Sequence, residues 1–226
     1  MTFDLKMKEK KEIQCVFLIA DLSGYTALTE AHGGISAARI VKRYIEIVQE
    51  CIHEGSRLVE TIGDEVIIAG NDAVKLIRLS LDLRAKVEKE PNFPAVHIGI
   101  HAGYVLEQDG KYFGSAINIA SRTAAHARAG QILCTEAVID LIADKSAIHY
   151  QPLGKIPFKN IAEPITVFEI DAGHPARKIN VTDPVCRMQI SPDSAAGRLN
   201  YEGQSYFFCS FECARAFANR PETYKE

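Results

Sequence analysis

The stretch that most constrains this chain is residues 16–29, VFLIADLSGYTALT. It opens with an apolar run from Val16 to Ala20. A short apolar run with β-branched members reads as a strand buried on both faces. The run stops at Asp21. A carboxylate at the end of a buried strand is costly unless it is paired or binds a cation. Leu22, Ser23, Gly24, Tyr25 and Thr26 then turn the chain into a helical segment. Backbone amides at such a helix entry point toward an anion. One strand end therefore offers a carboxylate for a cation and amides for a phosphate. On this stretch alone the simpler reading is favoured, that Asp21 only caps the helix.

The chain has 226 residues, enough for one large domain or a medium domain with a small one. At 47% hydrophobic it can pack a core and is not of disordered composition. A net charge of -3 gives no reason to expect nucleic-acid or anionic-membrane binding. No apolar run approaches the roughly 20 residues of a membrane span. The residues before Cys15 are charged and carry no apolar core, so no secretory signal is expected and the chain is expected in the cytoplasm. In that compartment the 6 cysteines are expected as thiols or metal ligands rather than disulfides.

Strands and helices alternate along most of the chain. Residues 35–54 carry Ala38, Val41, Ile45, Val48 and Ile52 at helical spacing, with Cys51 as a small core residue. Residues 57–62 and 65–69 flank Gly63-Asp64 and predict a hairpin. Residues 72–90 predict a helix capped by Asp72 and broken by Pro91 and Pro94. The strict alternation of VHIGIHAG, residues 96–103, predicts a half-buried strand with His97 and His101 on its polar face. A turn at 107–110 and an alanine-rich helix at 115–128 follow. On that helix Asn118 and Arg122 share a face. A short strand at 131–134, a helix at 136–143 capped by Thr135, and edge strands within 150–170 complete the pattern. The alternation implies an α/β sandwich with helices on a sheet. Residues 171–182 are polar and aperiodic and read as a linker. The short remaining segment holds Cys186, Cys209 and Cys213. A unit that small needs an added constraint, and a metal is one such constraint.

Four pieces then line up in order: FLIADLSGYT around Asp21, ETIGDEVIIAG around Asp64, HIGIHAG, and YFGSAINIASR ending at Arg122. Together, over residues 13–170, they resemble the catalytic domain of class III adenylate and guanylate cyclases. The resemblance implies an α/β (α+β) fold with a ferredoxin-like, palm-type sheet and helices packed on it. It also implies conversion of a purine nucleoside triphosphate to a 3′,5′-cyclic nucleotide and pyrophosphate. By the same resemblance Asp21 and Asp64, with the Leu22 carbonyl, hold Mg²⁺ or Mn²⁺. The loop of Ser23, Gly24, Tyr25 and Thr26 meets the triphosphate, and Lys159 grips its tail or is a solvated loop lysine. Asn118 orients the ribose and Arg122 stabilises transition-state charge, both supplied across a head-to-tail homodimer. Glu60 and Lys111 stand at the base-reading positions. Glu60 matches guanylate cyclases, which gives a weak expectation of GTP over ATP, and the two opposite charges are expected to form an ion pair. The strand HIGIHAG runs into Tyr104-Val105-Leu106-Glu107, without the glycine-rich turn usual there.

The segment from Asp183 resembles a YHS domain through Asp183-Pro184-Val185-Cys186-Arg187-Met188, Tyr201-Glu202-Gly203, Tyr206-Phe207-Phe208-Cys209-Ser210, Cys213, Phe217, Pro221 and Tyr224. Its three thiols suit a soft or borderline cation such as Zn²⁺ or Cu⁺. Glu212 stands where a histidine sometimes precedes the last cysteine, so the fourth ligand is water, another side chain, or nothing. Three functions compete on these residues. They are a cyclase tuned through its YHS module, a catalytically degenerate nucleotide-binding or dimerising scaffold, and a metal-handling module merely dimerised by the larger domain.

Overall fold

The structure, a computed structural model, describes residues 12–171 and 180–225. Its larger part contains β1 (Glu12–Leu22), α1 (Tyr25–Cys51), β2 (Ser56–Ile62), β3 (Glu65–Gly70), α2 (Ala73–Val87) and β4 (Phe93–Pro94). These are followed by β5 (Val96–Gln108), β6 (Lys111–Phe113), α3 (Ser115–His126), β7 (Ile132–Thr135), α4 (Glu136–Ile139), β8 (His149–Ile156) and β9 (Ile165–Asp171). Among the described residues the main sheet has the order β2-β3-β1-β5-β7-β9-β8, with β6 hairpinned onto β5. Only the β5–β7 pairing is parallel. This is the α+β sheet with packed helices that the sequence implies.

β1 lies at the centre because it is apolar on both faces. Val16, Leu18, Ala20 and Leu22 join Tyr44, Ile47 and Val48 of α1 and Leu76, Ile77 and Leu83 of α2 in the larger core. Cys15, Phe17 and Ile19 face the other way and pack with Ala116, Ala120 and Ala124 of α3. Small residues let α3 approach closely. A Cβ on Gly99 would fall 2.6 Å from the Ala124 Cα, so that position has room only for glycine. For this reason β5 is covered on both faces rather than half-buried as its alternation suggests, and His101 is 8% exposed. The two-residue hairpin turn at Gly63-Asp64 and the Asp72 cap, which accepts from the Lys75 amide at 3.0 Å, are as expected.

Several boundaries differ from the sequence reading. β1 extends from Glu12 to Leu22, beyond the apolar run, because β5 pairs with it along that whole length, while β3 pairs only with Val16–Ala20. The helix entry read after Asp21 and the helix read from residue 35 are one element, α1, which starts at Tyr25 with Gly24 in a left-handed N-cap (φ 80°). Gly33-Gly34 does not end a loop but kinks this helix. The buried stripe of α1 is Leu28, Ala37, Tyr44, Ile47, Val48 and Cys51, whereas Ala38 is exposed. The helix after Thr135 has a single turn, Glu136–Ile139, and the Thr135 hydroxyl caps nothing. It bonds the His101 Nδ1 at 2.7 Å instead. Of the two strands near the end of the domain, only β8 is an edge, since β9 runs between β7 and β8. Most of the expected linker, residues 172–179, lies outside the described residues.

The C-terminal module comprises β10 (Val181–Thr182), β11 (Met188–Ile190), β12 (Gly197–Tyr201), β13 (Gln204–Phe208) and α5 (Phe211–Asn219). Val181 and Thr182, expected in the linker, pair with Ile190 and Gln189. The module does not stand apart from the main domain. β11 also pairs with β4, through Met188↔Pro94 and Gln189↔Phe93. Leu28 and Ala37 of α1 enter the module's core with Val185, Met188, Phe208 and Phe217. The first stretch of α1 therefore buries its apolar face against the module, and Ala37, beyond the Gly33 kink, joins the same core. No helix among the described residues is long and apolar enough to cross a membrane.

Gly33 sits at φ 76°, ψ 163°, a conformation essentially reserved for glycine. A methyl group there meets nothing within 4 Å, so only backbone strain opposes it. Gly33→Ala should destabilise the chain by about 1–3 kcal/mol, read as a lower urea midpoint with an unchanged m value.

Candidate functional site

The β1–β3 ladder ends at Ala20↔Val66. Asp21 is the next residue, and it emerges beside the hairpin turn that carries Asp64. The two carboxyl groups come within hydrogen-bonding contact. Burial, with the neighbouring Asp21 charge next in importance, pushes the Asp64 carboxyl up to about 7. Burial also raises Asp21, and it raises Glu65, where the Asp64 charge adds to it. The β1–β5 ladder sets His97 opposite Asp21. The His97 Nε2 lies 3.6 Å from the Asp21 Oδ2, and its Nδ1 lies 3.1 Å from the Ser23 Oγ. Burial lowers the His97 pKa, against the opposing pull of the Asp64 charge. Tyr44 is fully buried, and its hydroxyl has no partner among the described residues. Burial, followed by the charges of Asp21 and Asp64, pushes that phenol well above its ordinary value. Among the described residues no lysine or arginine pairs with either acid, and two close carboxyl groups of this kind are the donor chemistry of a divalent-cation site.

The loop after Asp21 departs from expectation at one atom. The Ser23 amide donates to the Ala95 carbonyl at 2.7 Å, so it is not directed at an anion. Gly24 is pressed by the C-terminal module, because a Cβ there would collide with the Arg187 side chain. Asn118 and Arg122 lie on α3, against the sheet face opposite α1 and α2. Within one chain neither is bonded to Asp21 or Asp64, and the buried Arg122 Nε has no partner among the described residues. Glu60, Lys111 and Lys159 are exposed. The expected Glu60–Lys111 ion pair does not form in the single chain. Both side chains are in water, and nothing forces exposed charges together.

The three cysteines of the C-terminal segment do converge. The Cys186 and Cys209 sulfurs are 3.4 Å apart, and those of Cys209 and Cys213 are 3.7 Å apart. A fully buried carboxylate assembles them. The Asp183 Oδ1 accepts from the amides of Val185 (2.8 Å) and Cys186 (3.3 Å), and its Oδ2 accepts from the Cys209 amide (2.8 Å). One side chain thus ties together two segments separated by more than twenty residues. Ser210 caps α5 by accepting from the Cys213 amide at 3.2 Å, which sets Cys213 in the first turn beside Cys209. The Cys186 thiol is pushed up by its contacts with Cys209 and then Cys213, while Cys213 is pushed down to about 2 by the contacts with Cys186 and Cys209.

A fourth group completes the cluster. The His32 Nε2 lies 3.4 Å from the Cys209 Sγ and 3.6 Å from the Cys213 Sγ. Its sequence neighbourhood, Ala-His-Gly-Gly, contains no other ligand type, so only the docking of the module onto α1 makes it visible. The remaining cysteines are separate. Cys15, Cys51 and Cys134 are buried single thiols, and burial raises Cys134 to about 12.

These features agree with comparisons to known proteins. The profile of the adenylate and guanylate cyclase catalytic domain family matches residues 5–171, and that of the YHS domain matches residues 181–226. The chain belongs to the adenylate and guanylate cyclase catalytic domain family and carries a YHS domain after it. An uncharacterised Mycobacterium tuberculosis protein is 31% identical over 173 residues, covering 76% of this chain and 45% of that protein. A pH-sensitive adenylate cyclase from M. tuberculosis is 29% identical over 131 residues, 58% of this chain and 33% of the relative. The chain thus spans less than half the length of these curated relatives. The crystal structure of the adenylyl cyclase CyaB from P. aeruginosa superposes with a TM-score of 0.64 at 20% identity, over 74% of this chain and 97% of that one. At that identity the likeness speaks for the fold.

Two outcomes test the geometry. Asp64 keeps its proton to a higher pH in the folded chain than in the unfolded one. Between about pH 4 and pH 7 the folded state therefore binds more protons, and stability falls as pH rises. Urea midpoints of metal-free protein should drop across this window, and Asp64→Asn should flatten the profile. Asp183→Ala strands three buried amides. It should destabilise the module by about 3 kcal/mol or more, seen as early loss of hydrogen-exchange protection in β11 and α5.

Proposed function

We propose that this protein is a nucleotide cyclase working as a head-to-tail homodimer. The observation that carries the reading is the Asp21–Asp64 pair, buried together at the end of the central strand with no lysine or arginine paired to either acid among the described residues. The residues fit Mg²⁺ or Mn²⁺, held by Asp21, Asp64 and the Leu22 carbonyl. When bound, these ions activate the ribose 3′-hydroxyl and neutralise the triphosphate. The 3′-oxygen bonds to the α-phosphorus as the α–β phosphoanhydride bond breaks, the hydroxyl proton is released, and pyrophosphate departs. His97 steadies the loop by contacting both Asp21 and Ser23. The loop from Ser23 to Thr26 lies where the phosphates approach, and Lys159 is assigned to their far end.

Asn118 and Arg122 act on the site of the other copy, Asn118 on the ribose and Arg122 on the phosphoryl oxygens. The orphan Arg122 Nε and the lack of any link to the acids within one chain support this sharing. Exposed Ile62, Tyr104 and Phe113 are consistent with a covering partner. Glu60 and Lys111 read the purine. The curated relatives named above include an adenylate cyclase, and nothing among them favours GTP. The guanine preference inferred from Glu60 thus rests on that residue alone. The thiols of the YHS module hold a soft or borderline cation.

Purified protein with Mn²⁺ should convert ATP or GTP to the cyclic product, and the ratio of the two rates assigns the base. Arg122→Ala should lower the rate about 10²–10³-fold. Asp64→Ala should abolish it. Mixing these two inactive variants should restore roughly a quarter of the wild-type rate, because one of the two sites in each mixed dimer is intact. No recovery on mixing rules out a shared site. Nucleotide binding without turnover in the wild type would leave the scaffold reading in its place.

A further inference from the structure

His32 belongs to the cyclase domain, yet its ring nitrogen meets the sulfurs of the YHS module. We propose that His32 is the fourth ligand of a tetrahedral site for a zinc-class divalent cation with Cys186, Cys209 and Cys213, and that the bound ion clamps the module onto α1 beside the Asp21 loop. The proposal rests on the thiol metal reading above for three of its ligands. The histidine and the clamp are new.

The distances carry the argument. Zinc bonds of about 2.3 Å to sulfur and 2.0–2.1 Å to nitrogen give a tetrahedron with S···S edges of about 3.8 Å and S···N edges of about 3.6 Å. Of the six edges, Cys186–Cys209 and Cys209–Cys213 measure 3.4 and 3.7 Å between sulfurs, and His32 lies 3.4 and 3.6 Å from the Cys209 and Cys213 sulfurs. All four ligand atoms lie within 4.8 Å of one another. A disulfide between Cys186 and Cys209 would need a sulfur separation of about 2.05 Å and would give no reason for a third thiol and an imidazole to aim at the same point. Three soft donors and one imidazole in a closed tetrahedron select a zinc-class ion over Mg²⁺ or Ca²⁺. A groove of about 810 Å³ between α1 and the module is lined in part by Cys213.

The backbone around His32 serves this placement. Residue 33 takes a glycine-only conformation, so the helix breaks directly after the histidine and its first stretch lies on the module. That stretch begins immediately after Gly24, against which Arg187 packs, and Arg187 follows the ligand Cys186. An ion at the cluster thus fixes both ends of the segment that starts at the nucleotide loop. Metal occupancy and the order of that loop are linked, whatever the rate of turnover.

The test uses the full-length reduced protein, with Zn²⁺ affinity from competition with a chromophoric chelator and Co²⁺ as a spectroscopic probe. The wild type should bind one Zn²⁺ and show the visible bands of tetrahedral thiolate-bound Co²⁺. His32 is partly exposed, so His32→Ala should fold. It should lose at least tenfold in Zn²⁺ affinity and change the Co²⁺ spectrum. His32→Cys should recover the affinity and strengthen the sulfur-to-cobalt absorption. Zn²⁺ should slow hydrogen exchange in residues 24–32 of the wild type and not of His32→Ala. Equal affinity and spectra for wild type and His32→Ala overturn the histidine ligand while leaving the three-thiol reading in place. Failure of cysteine to rescue reduces His32 to packing and overturns it too. Exchange unmoved by Zn²⁺ overturns the clamp. A wild type that takes neither Zn²⁺ nor Co²⁺ removes the thiol reading and this inference together.

Discussion

The structure depends on β1 being hydrogen-bonded on both sides. Over its buried run, Val16–Ala20, antiparallel pairing with β3 on one side and β5 on the other engages the backbone that water cannot reach. The same two ladders decide what surrounds its end. One sets His97 opposite Asp21, and the other delivers the hairpin turn with Asp64. A slip of one residue in either ladder would exchange the two buried faces of β1 and separate the acids. The acidic pair is thus held together, with raised carboxyl pKa values, by the register of these two ladders.

The second constraint is the docking of the YHS module. A segment of this size buries too little surface to be secure alone, and here it borrows both a strand and a helix face from the cyclase domain. Its own polar centre is Asp183, whose buried charge is balanced by three amide donors. That arrangement positions the cysteine backbones before any ion is considered. The module also rests on Gly24, so the small domain touches the start of the loop that follows the acidic pair. Two chemistries that look independent along the chain are therefore neighbours in space.

Much was legible in the residues themselves. The apolar run before Asp21, the Gly63-Asp64 turn, the Asp72 cap and the alanine-rich α3 are local features, decided by sterics and hydrogen bonds within a few residues. So was the Cys209–Cys213 pair, which needs only the start of a helix with a serine cap. The helix entry after Asp21 was legible, but not that it continues through Gly33-Gly34 into the helix of residues 35–54. Its apolar face packs on a domain more than 150 residues later, and Gly33-Gly34 looks like a stop when it is a kink. The double coverage of β5 was hidden for a similar reason, since only the close approach of α3 at Gly99 shows that the glycine face is a contact surface.

By itself the sequence determined the two families, the order of elements, and the identity of Asp21, Asp64, Cys186, Cys209 and Cys213 as chemically exposed choices. Those are properties of residue type and short-range spacing. Tertiary structure alone decided that His97 abuts Asp21, that the Ser23 amide is spent on Ala95, and that Glu60 and Lys111 stay apart in one chain. It also decided that His32 stands with the three cysteines. A histidine carries no local mark of its partners, because a ligand set is defined by where side chains meet, and that follows from packing rather than from spacing along the chain.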